Sequence, residues 1–318
     1  MGNPKIMVIG DIVADVYLEG KISRISREAP VLVLEHRTEK VVPGGAGNVI
    51  HNMATLGGQT YAVGVLGNDS AGTELIRILG KKNVNTDGFI VDESRPTITK
   101  TRIMAGGDAT VRQQVVRVDK ENKEVLNTTV EQALHDYILS CIIEMDGVVI
   151  SDYGSNTVTL SIMRKIIDQC RQHNIPCIVD SRYNVMAYTG VTVVKQNESE
   201  AAIAVGYKLS DKELLLKAGQ TILEKLDAQA VLITRGPDGM SLFEKTGKVT
   251  HIPVANKSEV YDVTGAGDTV VAMMILAIAA KLSYEEAARL ANYAAGVVVR
   301  KLGTATTTLE EIGQVIGE

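Results

Sequence analysis

Short apolar runs rich in β-branched residues alternate with stretches whose apolar residues recur at helical spacing, and this alternation governs most of the chain. Lys5–Asp11, Tyr61–Gly67, Gly147–Tyr153, Pro176–Arg182, Val191–Gln196 and Ala230–Arg235 read as strands. Asp69–Lys82, Thr157–His173, Asp211–Leu226 and Tyr284–Lys301 read as helices. Capping boxes are expected where Thr128 precedes Glu131, Ser210 precedes Glu213 and Ser283 precedes Glu286. A strand that is apolar on both faces must be covered on both. With helices between such strands, an α/β fold follows: a mostly parallel sheet flanked by helices.

Two regions break the rhythm. Ile12–Val42 and Thr97–Asp119 alternate like strands and carry no helical pattern, and Gly106-Gly107-Asp108 reads as a hairpin turn. They predict a small antiparallel sheet inserted into the main domain, placed either to cover a cleft as a lid or to extend an edge. The chain then divides into a large α/β domain over 1–11, 43–96 and 120–318 and an inserted sheet over 12–42 and 97–119. A second unit is expected at 318 residues, since single cores stop growing at roughly 250–300 residues.

Composition removes several functions. The chain has 33 Lys and Arg against 38 Asp and Glu, a formal charge of −5, without a basic block. Nucleic acid as a polymer partner is therefore not expected, because that binding draws on neutralised phosphates. The cysteines number only 3, which argues for a reducing compartment. The longest apolar run, Val270–Ala280, has 11 residues, against about 20 for a membrane span, and reads as a buried helix. The start MGNPKIMVIGD has no export signal, and Ile6 stands where a myristoylation motif wants Ser or Thr. A cytoplasmic, soluble protein with no membrane partner is expected. There is no G-x-x-x-x-G-K-[ST] loop, no G-x-G-x-x-G after the first strand, no zinc spacing among the histidines and no G-x-S-x-G elbow.

The strongest local feature is Asp262-Val263-Thr264-Gly265-Ala266-Gly267-Asp268, directly before the apolar helix Thr269–Ala280. Small residues at a helix N-terminus leave backbone N–H groups free for an anion, so Gly265, Ala266 and Gly267 can form an anion hole. Asp268 at its mouth can take a proton from an attacking hydroxyl. An ordinary capped turn would use the same residues. Pro43-Gly44-Gly45-Ala46-Gly47-Asn48 precedes another helix, Val49–Leu56, and Asn48 offers a donor and an acceptor to a polyol. Asp11 and Asp15 lie at and just beyond the end of the first strand, where α/β sheets bind ligands; as plain residues they read equally as a turn and a solvated carboxylate. Asn197-Glu198-Ser199-Glu200 and Thr234-Arg235-Gly236 are further strand-end loops.

In this order the four motifs resemble those of the PfkB/ribokinase family of sugar kinases, and the resemblance covers nearly the whole chain. It implies a ribokinase-like α/β domain with a β-lid that mediates a homodimer. It also implies Asp268 as catalytic base, with Gly265, Ala266 and Gly267 as anion hole. Asn197 and Glu200 would organise Mg²⁺ and phosphates, Glu200 through water; Thr234 and Gly236, with Asn292 and Gly303, would line the ATP site. Asp262 and Thr264 stand as in members that use K⁺. Asp11, Asp15, Gly44, Gly45, Asn48, Lys100, Arg102, Arg117, Asp152 and Arg182 are the expected substrate ligands.

Within the family the nearest resemblance is to the kinases of D-glycero-D-manno-heptose 7-phosphate, which act on the anomeric hydroxyl. It is carried by Ser23–Val31, Pro96–Arg102, Arg117-Val118-Asp119, Ser151-Asp152-Tyr153, Glu259–Asp262 and Lys301–Thr304. Those kinases read S-D-Y-x-K-G and D-P-K where this chain has Ser155-Asn156 and Asp180-Ser181-Arg182. Arg182 can still hold a phosphate with a bidentate fork. The chain ends at Glu318 without an H-x-G-H motif, so a free-standing kinase is expected. A kinase for ribose, fructose or adenosine, and a non-catalytic sugar- or nucleotide-binding regulator, are the alternatives.

Overall fold

The structure, a computed structural model, describes residues 2–106, 113–255 and 260–317. Its elements begin with β1 (Lys5–Gly10), β2 (Ile12–Ile25), β3 (Leu32–Gly45), α1 (Ala46–Thr55), β4 (Gln59–Gly67), α2 (Ser70–Gly80), β5 (Asn85–Asp92), β6 (Ile98–Gly106) and β7 (Gln113–Lys120). Then follow α3 (Thr128–Cys141), β8 (Gly147–Asp152), α4 (Leu160–Gln172), β9 (Cys177–Ser181), β10 (Val193–Asn197), α5 (Glu198–Val205), α6 (Lys212–Lys225) and β11 (Ala230–Thr234). The chain closes with β12 (Met240–Glu244), β13 (Val249–Ile252), α7 (Ala266–Ala279), α8 (Tyr284–Val298) and α9 (Leu309–Gly317). All six expected strands form, each within two residues of its expected ends.

The main sheet runs β13-β12-β11-β10-β9-β8-β1-β4-β5. It is parallel from β5 to β11 and closes with the antiparallel strands β12 and β13. Its central strands are buried on both faces, which is why they read as unbroken apolar runs. One apolar layer joins the sheet to α1, α7 and α8, the other to α3, α4 and α6. The run Val270–Ala280 falls on α7, where every residue from Asp268 to Ile278 is buried. Among the described residues, no helix is long and apolar enough to cross a membrane.

A separate sheet, ordered β3-β2-β6-β7, gathers the two regions that broke the rhythm. It is mixed rather than antiparallel, since β2 and β6 pair in parallel. The reason is topological: β4, α2 and β5 return the chain to the end from which β2 started. The expected hairpin turn falls on Gly107 and Asp108, outside the described residues, as does Glu259.

Two of the three expected capping boxes are replaced. Asn127 caps α3 and Asp211 caps α6, each accepting from the N–H three residues on, so Thr128 and Ser210 are not the caps. Asn127 stands one position before Thr128 and Asp211 one position after Ser210, and an Asn or Asp is at least as good an acceptor for the first free N–H groups. Ser283 and Glu286 form their box as expected.

The junction of β1 with β8 sets the geometry under the site. A Cβ on Gly10 would overlap the Ser151 carbonyl oxygen. Gly10→Ala is expected to cost about 3 kcal/mol or more, because the clash is with backbone that cannot step aside; urea unfolding that matches the parent would contradict this.

Candidate active site

The two glycine motifs form the N-termini of adjacent helices. α1 and α7 start at Ala46 and Ala266, three residues earlier than expected, after Gly45 (φ 55°) and Gly265 (φ 79°). Positive φ lets the chain turn sharply into each helix. Asn48 and Asp268 therefore stand inside first turns rather than in loops, and they meet: Asn48 Nδ2 donates to Asp268 Oδ2 at 2.7 Å. Behind Asn48, the Asn52 amide donates to its carbonyl oxygen at 2.9 Å, and Thr269 Oγ1 donates to Asn52 Oδ1 at 2.8 Å. Tyr153 Oη donates to the other carboxylate oxygen, Asp268 Oδ1, at 3.0 Å.

Asp268 lines a cavity of about 490 Å³ between the two sheets. Its pKa is raised to about 6, by burial first and by the neighbouring Asp180; the donors Asn48 and Tyr153 and the cation Lys195 oppose that rise. Such a carboxylate is ionised at neutral pH and is a fair proton acceptor. Gly265 and Gly267 share the lining, with the free N–H end of α7. A Cβ on Gly267 would fall 2.7 Å from Lys195 Nζ, so the missing side chain makes room for an ammonium at the helix mouth. Lys195 also bonds Asp180 Oδ2 at 2.8 Å. Burial works against its charge, but Asp180 and then Glu200 hold it protonated. Ala266 is not part of the lining.

Asn197 and Glu200 line the cavity as a reciprocal capping box on α5. Asn197 Oδ1 accepts from the Glu200 N–H and Glu200 Oε2 from the Asn197 N–H, both at 2.8 Å. Burial raises the Glu200 pKa. Thr234 sits beside Asn197 in the parallel register, its hydroxyl 3.4 Å from the Gln196 carbonyl. Thr234, Gly236 and Asn292 do not line the cavity; the Asn292 amide donates to the Pro253 carbonyl at 2.8 Å. Gly303 and Asp262 line a neighbouring cavity of about 680 Å³, which shares Thr264, Thr304 and Arg102 with the first. The Asp262 carboxylate accepts from the N–H groups of Thr264 and Gly303, both at 2.9 Å.

The expected substrate ligands divide. Asp15, Gly45, Lys100, Arg102, Arg117, Asp152 and Arg182 line the cavity. Asp11 does not. It is fully buried, and its oxygens accept from the backbone N–H groups of Tyr153 (2.8 Å), Ser155 (3.0 Å) and Thr157 (3.3 Å). It fastens the loop after β8 and has no face left for a sugar. Asn48 is likewise turned onto Asp268 and away from the cavity. Gly44 is off the lining as well, but a Cβ there would overlap the Asp15 carboxylate. Asp152 accepts from Ser181 Oγ and Tyr188 Oη on Oδ2 and from the Gly154 N–H on Oδ1.

The cations divide too. Arg102 is held by Asp15 at 2.6 Å and Arg117 is paired with Asp119 through two bonds. Lys100 makes no ion pair among the described residues; its ammonium lies 5.9 Å from the centre of the Tyr153 ring. The Arg182 guanidinium lies 5.4 Å from the same ring, with Glu200 no nearer than 4.0 Å. Sequence reasoning missed Lys195, Asp180, Asn52, Thr269 and the role of the Tyr153 hydroxyl. Lys195 had a signal: a charge directly after two β-branched apolar residues of a strand, Val193 and Val194.

The model of pfkB family carbohydrate kinases matches residues 3–312. The bifunctional protein HldE of Geobacter sulfurreducens is 40% identical over 307 residues, which are 96% of this chain and 61% of that protein. HldE of Nitratiruptor sp. is 40% identical over 309 residues, 97% of this chain and 64% of the relative. The chain thus spans less than two thirds of these relatives. The fold is that of phosphofructokinase-2 from Escherichia coli in complex with substrates and products (TM-score 0.79, 22% identity, covering 99% of this chain and 98% of that one). Arabidopsis thaliana ribokinase complexed with ribose and ATP is similar at a TM-score of 0.76 with 21% identity, covering 99% of each chain.

Two stability outcomes follow from the site. Because the folded state raises the Asp268 pKa, its contribution to stability is present at low pH and lost as pH rises from about 4 through about 6. Asp268→Asn is therefore expected to melt no lower than the parent at pH 8, since the amide can still accept from Asn48 and donate to Tyr153. Asp11→Ala leaves three buried N–H groups without an acceptor and is expected to lose about 3 kcal/mol or more. Denaturant titrations of both variants check the pair, and the opposite ranking contradicts it.

Proposed function

Because the chain belongs to the pfkB family of carbohydrate kinases, we propose that it transfers the γ-phosphate of ATP to a hydroxyl of a sugar phosphate, with the anomeric hydroxyl of D-glycero-D-manno-heptose 7-phosphate first among candidates. The observation that carries the reading is Asp268 at the mouth of α7, with both oxygens held and a cavity in front. The acceptor hydroxyl would give its proton to Asp268 as its oxygen attacks phosphorus. Charge growing on the transferred phosphoryl group would meet the free N–H groups of the Gly265–Gly267 turn and the Lys195 ammonium. The heptose reading is supported by the motifs around Ser23–Val31, Pro96–Arg102 and Ser151–Tyr153 and by the relatives named HldE.

Lys100 and Arg182 support an acceptor that already carries a phosphate. They are the cations of the cavity lining least engaged by carboxylates, and one comes from each sheet. Asp15 and Gly45 at the base of the second sheet would hold sugar hydroxyls. That sheet would act as the lid, close over the acceptor to exclude water, and pair two copies of the chain.

ATP would run from the α7 N-terminus past Asn197 and Glu200 toward Thr234 and Gly236. Mg²⁺ neutralises phosphate charge when bound. The residues present fit an ion held through water: Glu200 spends one oxygen on its capping box, and among the described residues no cluster of carboxylates, histidines and cysteines could grip an ion directly. The Asp262–Thr264 turn, bounded by Gly303, is the candidate K⁺ site.

A neutral acceptor of the ribose, fructose or adenosine type is the second reading. It is favoured by Ser155 and Asn156, which bring no cation to the loop after β8. A coupled ADP-release assay separates the two. It would offer D-glycero-D-manno-heptose 7-phosphate, sedoheptulose 7-phosphate, ribose, fructose and adenosine. Turnover confined to a neutral acceptor overturns the first reading.

Asp268→Asn is expected to lower kcat by about 10²-fold or more while ATP affinity by calorimetry stays within a few-fold. Near-parental turnover would remove Asp268 from its role. Lys100→Ala and Arg182→Ala are each expected to raise KM for the sugar phosphate roughly ten-fold or more, the scale of one lost charge-assisted bond. An unchanged KM in both would place the acceptor's phosphate elsewhere.

A further inference from the structure

Tyr153 touches four separately positioned groups. Its backbone N–H is bonded to the buried carboxylate of Asp11 at 2.8 Å, which fixes where the side chain starts. Its hydroxyl ends on Asp268 Oδ1 at 3.0 Å. Its ring carries the Lys100 ammonium at 5.9 Å and the Arg182 guanidinium at 5.4 Å. Lys100 belongs to β6 of the second sheet, whereas Arg182 follows β9 of the main sheet. The side chain is therefore a strut between a buried anchor and the proton acceptor, and a cation of the second sheet, Lys100, lies over its face.

We infer that Tyr153 is a positioning residue for the transfer, whose hydroxyl holds the Asp268 carboxylate in its reactive orientation and whose ring makes that hold depend on the second sheet being seated over the cavity. This rests on the reading of Asp268 as the proton acceptor. It does not depend on which sugar is the acceptor.

The carboxylate plane is defined by two donors, Asn48 on Oδ2 and Tyr153 on Oδ1. The Asn48 side chain is itself held by Asn52, whose amide donates to Asn48 Oδ1 at 3.3 Å, so that side is fixed from within α1. Tyr153 is the donor whose ring lies under a cation of the second sheet, Lys100. With Tyr153 removed, the Asp268 carboxylate keeps one fixed oxygen and gains rotation about its last bond. A cation on the ring face draws electron density from the phenol and strengthens its O–H as a donor. Seating the second sheet thus tightens the hydrogen bond that favours the ionised carboxylate, and lifting it relaxes that bond. The remaining groups around Asp268 are Asp180 from the end of β9 and Lys195 from β10, which act in opposite directions. Burial and the proximity of Asp268 push the Tyr153 phenol well above its usual value, so it stays a donor throughout the working range.

The test is the pH profile of kcat/KM for the parent, Tyr153→Phe and Lys100→Met, with the acceptor that gives the highest turnover in the sugar panel. The parent is expected to lose activity below about pH 6 as Asp268 takes up its proton. In Tyr153→Phe the acid limb is expected to move up by about 1–2 pH units, the worth of one hydrogen bond to a charged group, with kcat falling most near pH 6. Lys100→Met is expected to move the limb in the same direction by less. A limb that stays in place in Tyr153→Phe overturns the inference, even if kcat falls evenly at all pH values, since an even loss is what a merely structural tyrosine would give. An unmoved limb in Lys100→Met, with Tyr153→Phe shifted, overturns the link to the second sheet. Should the parent turn over no sugar, the proposed function fails by itself. The inference is then decided by the melting temperature of parent and Tyr153→Phe between pH 4 and 8. The curves should diverge through the window in which Asp268 titrates, and parallel curves overturn it.

Discussion

One hydrogen bond, from Asn48 to Asp268, joins the starts of two helices that lie 220 residues apart in sequence. Most of the site depends on it. It can form only because α1 and α7 pack side by side on the same face of the sheet, and each begins on a glycine in the left-handed region. Close packing of the helices puts Asp268 where water is scarce, which raises its proton affinity into the useful range. The same packing aims the free N–H groups of α7 into the cavity in front of it. Burial and activation of the carboxylate are thus one event, and the cost of burying a charge is met by three donors and cations that the fold must supply from α1, the loop after β8 and β10.

The α/β character was legible because central parallel strands have to be apolar on both faces, and β1, β8 and β9 show this in the bare sequence. The antiparallel strands β12 and β13 were not, since they are only 5 and 4 residues long and β13, at the sheet edge, is mostly part-exposed. The helix starts at Ala46 and Ala266 were placed three residues late for a related reason. Glycine and alanine carry no periodic signal, so the apolar pattern begins only at Val49 and Thr269. Of the site, the identity of Asp268 and its glycine turn could be read. The partner choices could not. Asp11 and Asp15 look alike as strand-end carboxylates, yet one is swallowed by three backbone N–H groups and the other faces Arg102. Nothing local separates them; only the path of the loop after β8 does.

The charge pattern gains meaning in the same way. A net charge of −5 sits beside a cavity built for anions, because the attraction there is made from backbone N–H groups and a few oriented cations, not from bulk charge. Several of those cations are already neutralised by Asp15, Asp119 and Asp180. The pairing keeps them from scattering over the surface and limits how strongly an unselected anion is held, leaving selectivity to shape and to Lys100 and Arg182.

The parallel pairing of β2 with β6 has a consequence for how such a sheet can be exchanged among relatives. Its four strands come from two stretches of chain separated by β4, α2 and β5, and the strand bridging the halves is central to the sheet. No single cut-and-paste of contiguous sequence moves the whole sheet without also carrying β4 and β5 of the main sheet. A hybrid receiving only the first stretch would pair its β2 with a foreign β6, and every side chain facing the cavity from that seam would come from two different ancestors. Drift of individual residues such as Lys100 and Arg102, rather than shuffling of a module, is then the easier route by which this side of the cavity changes its acceptor.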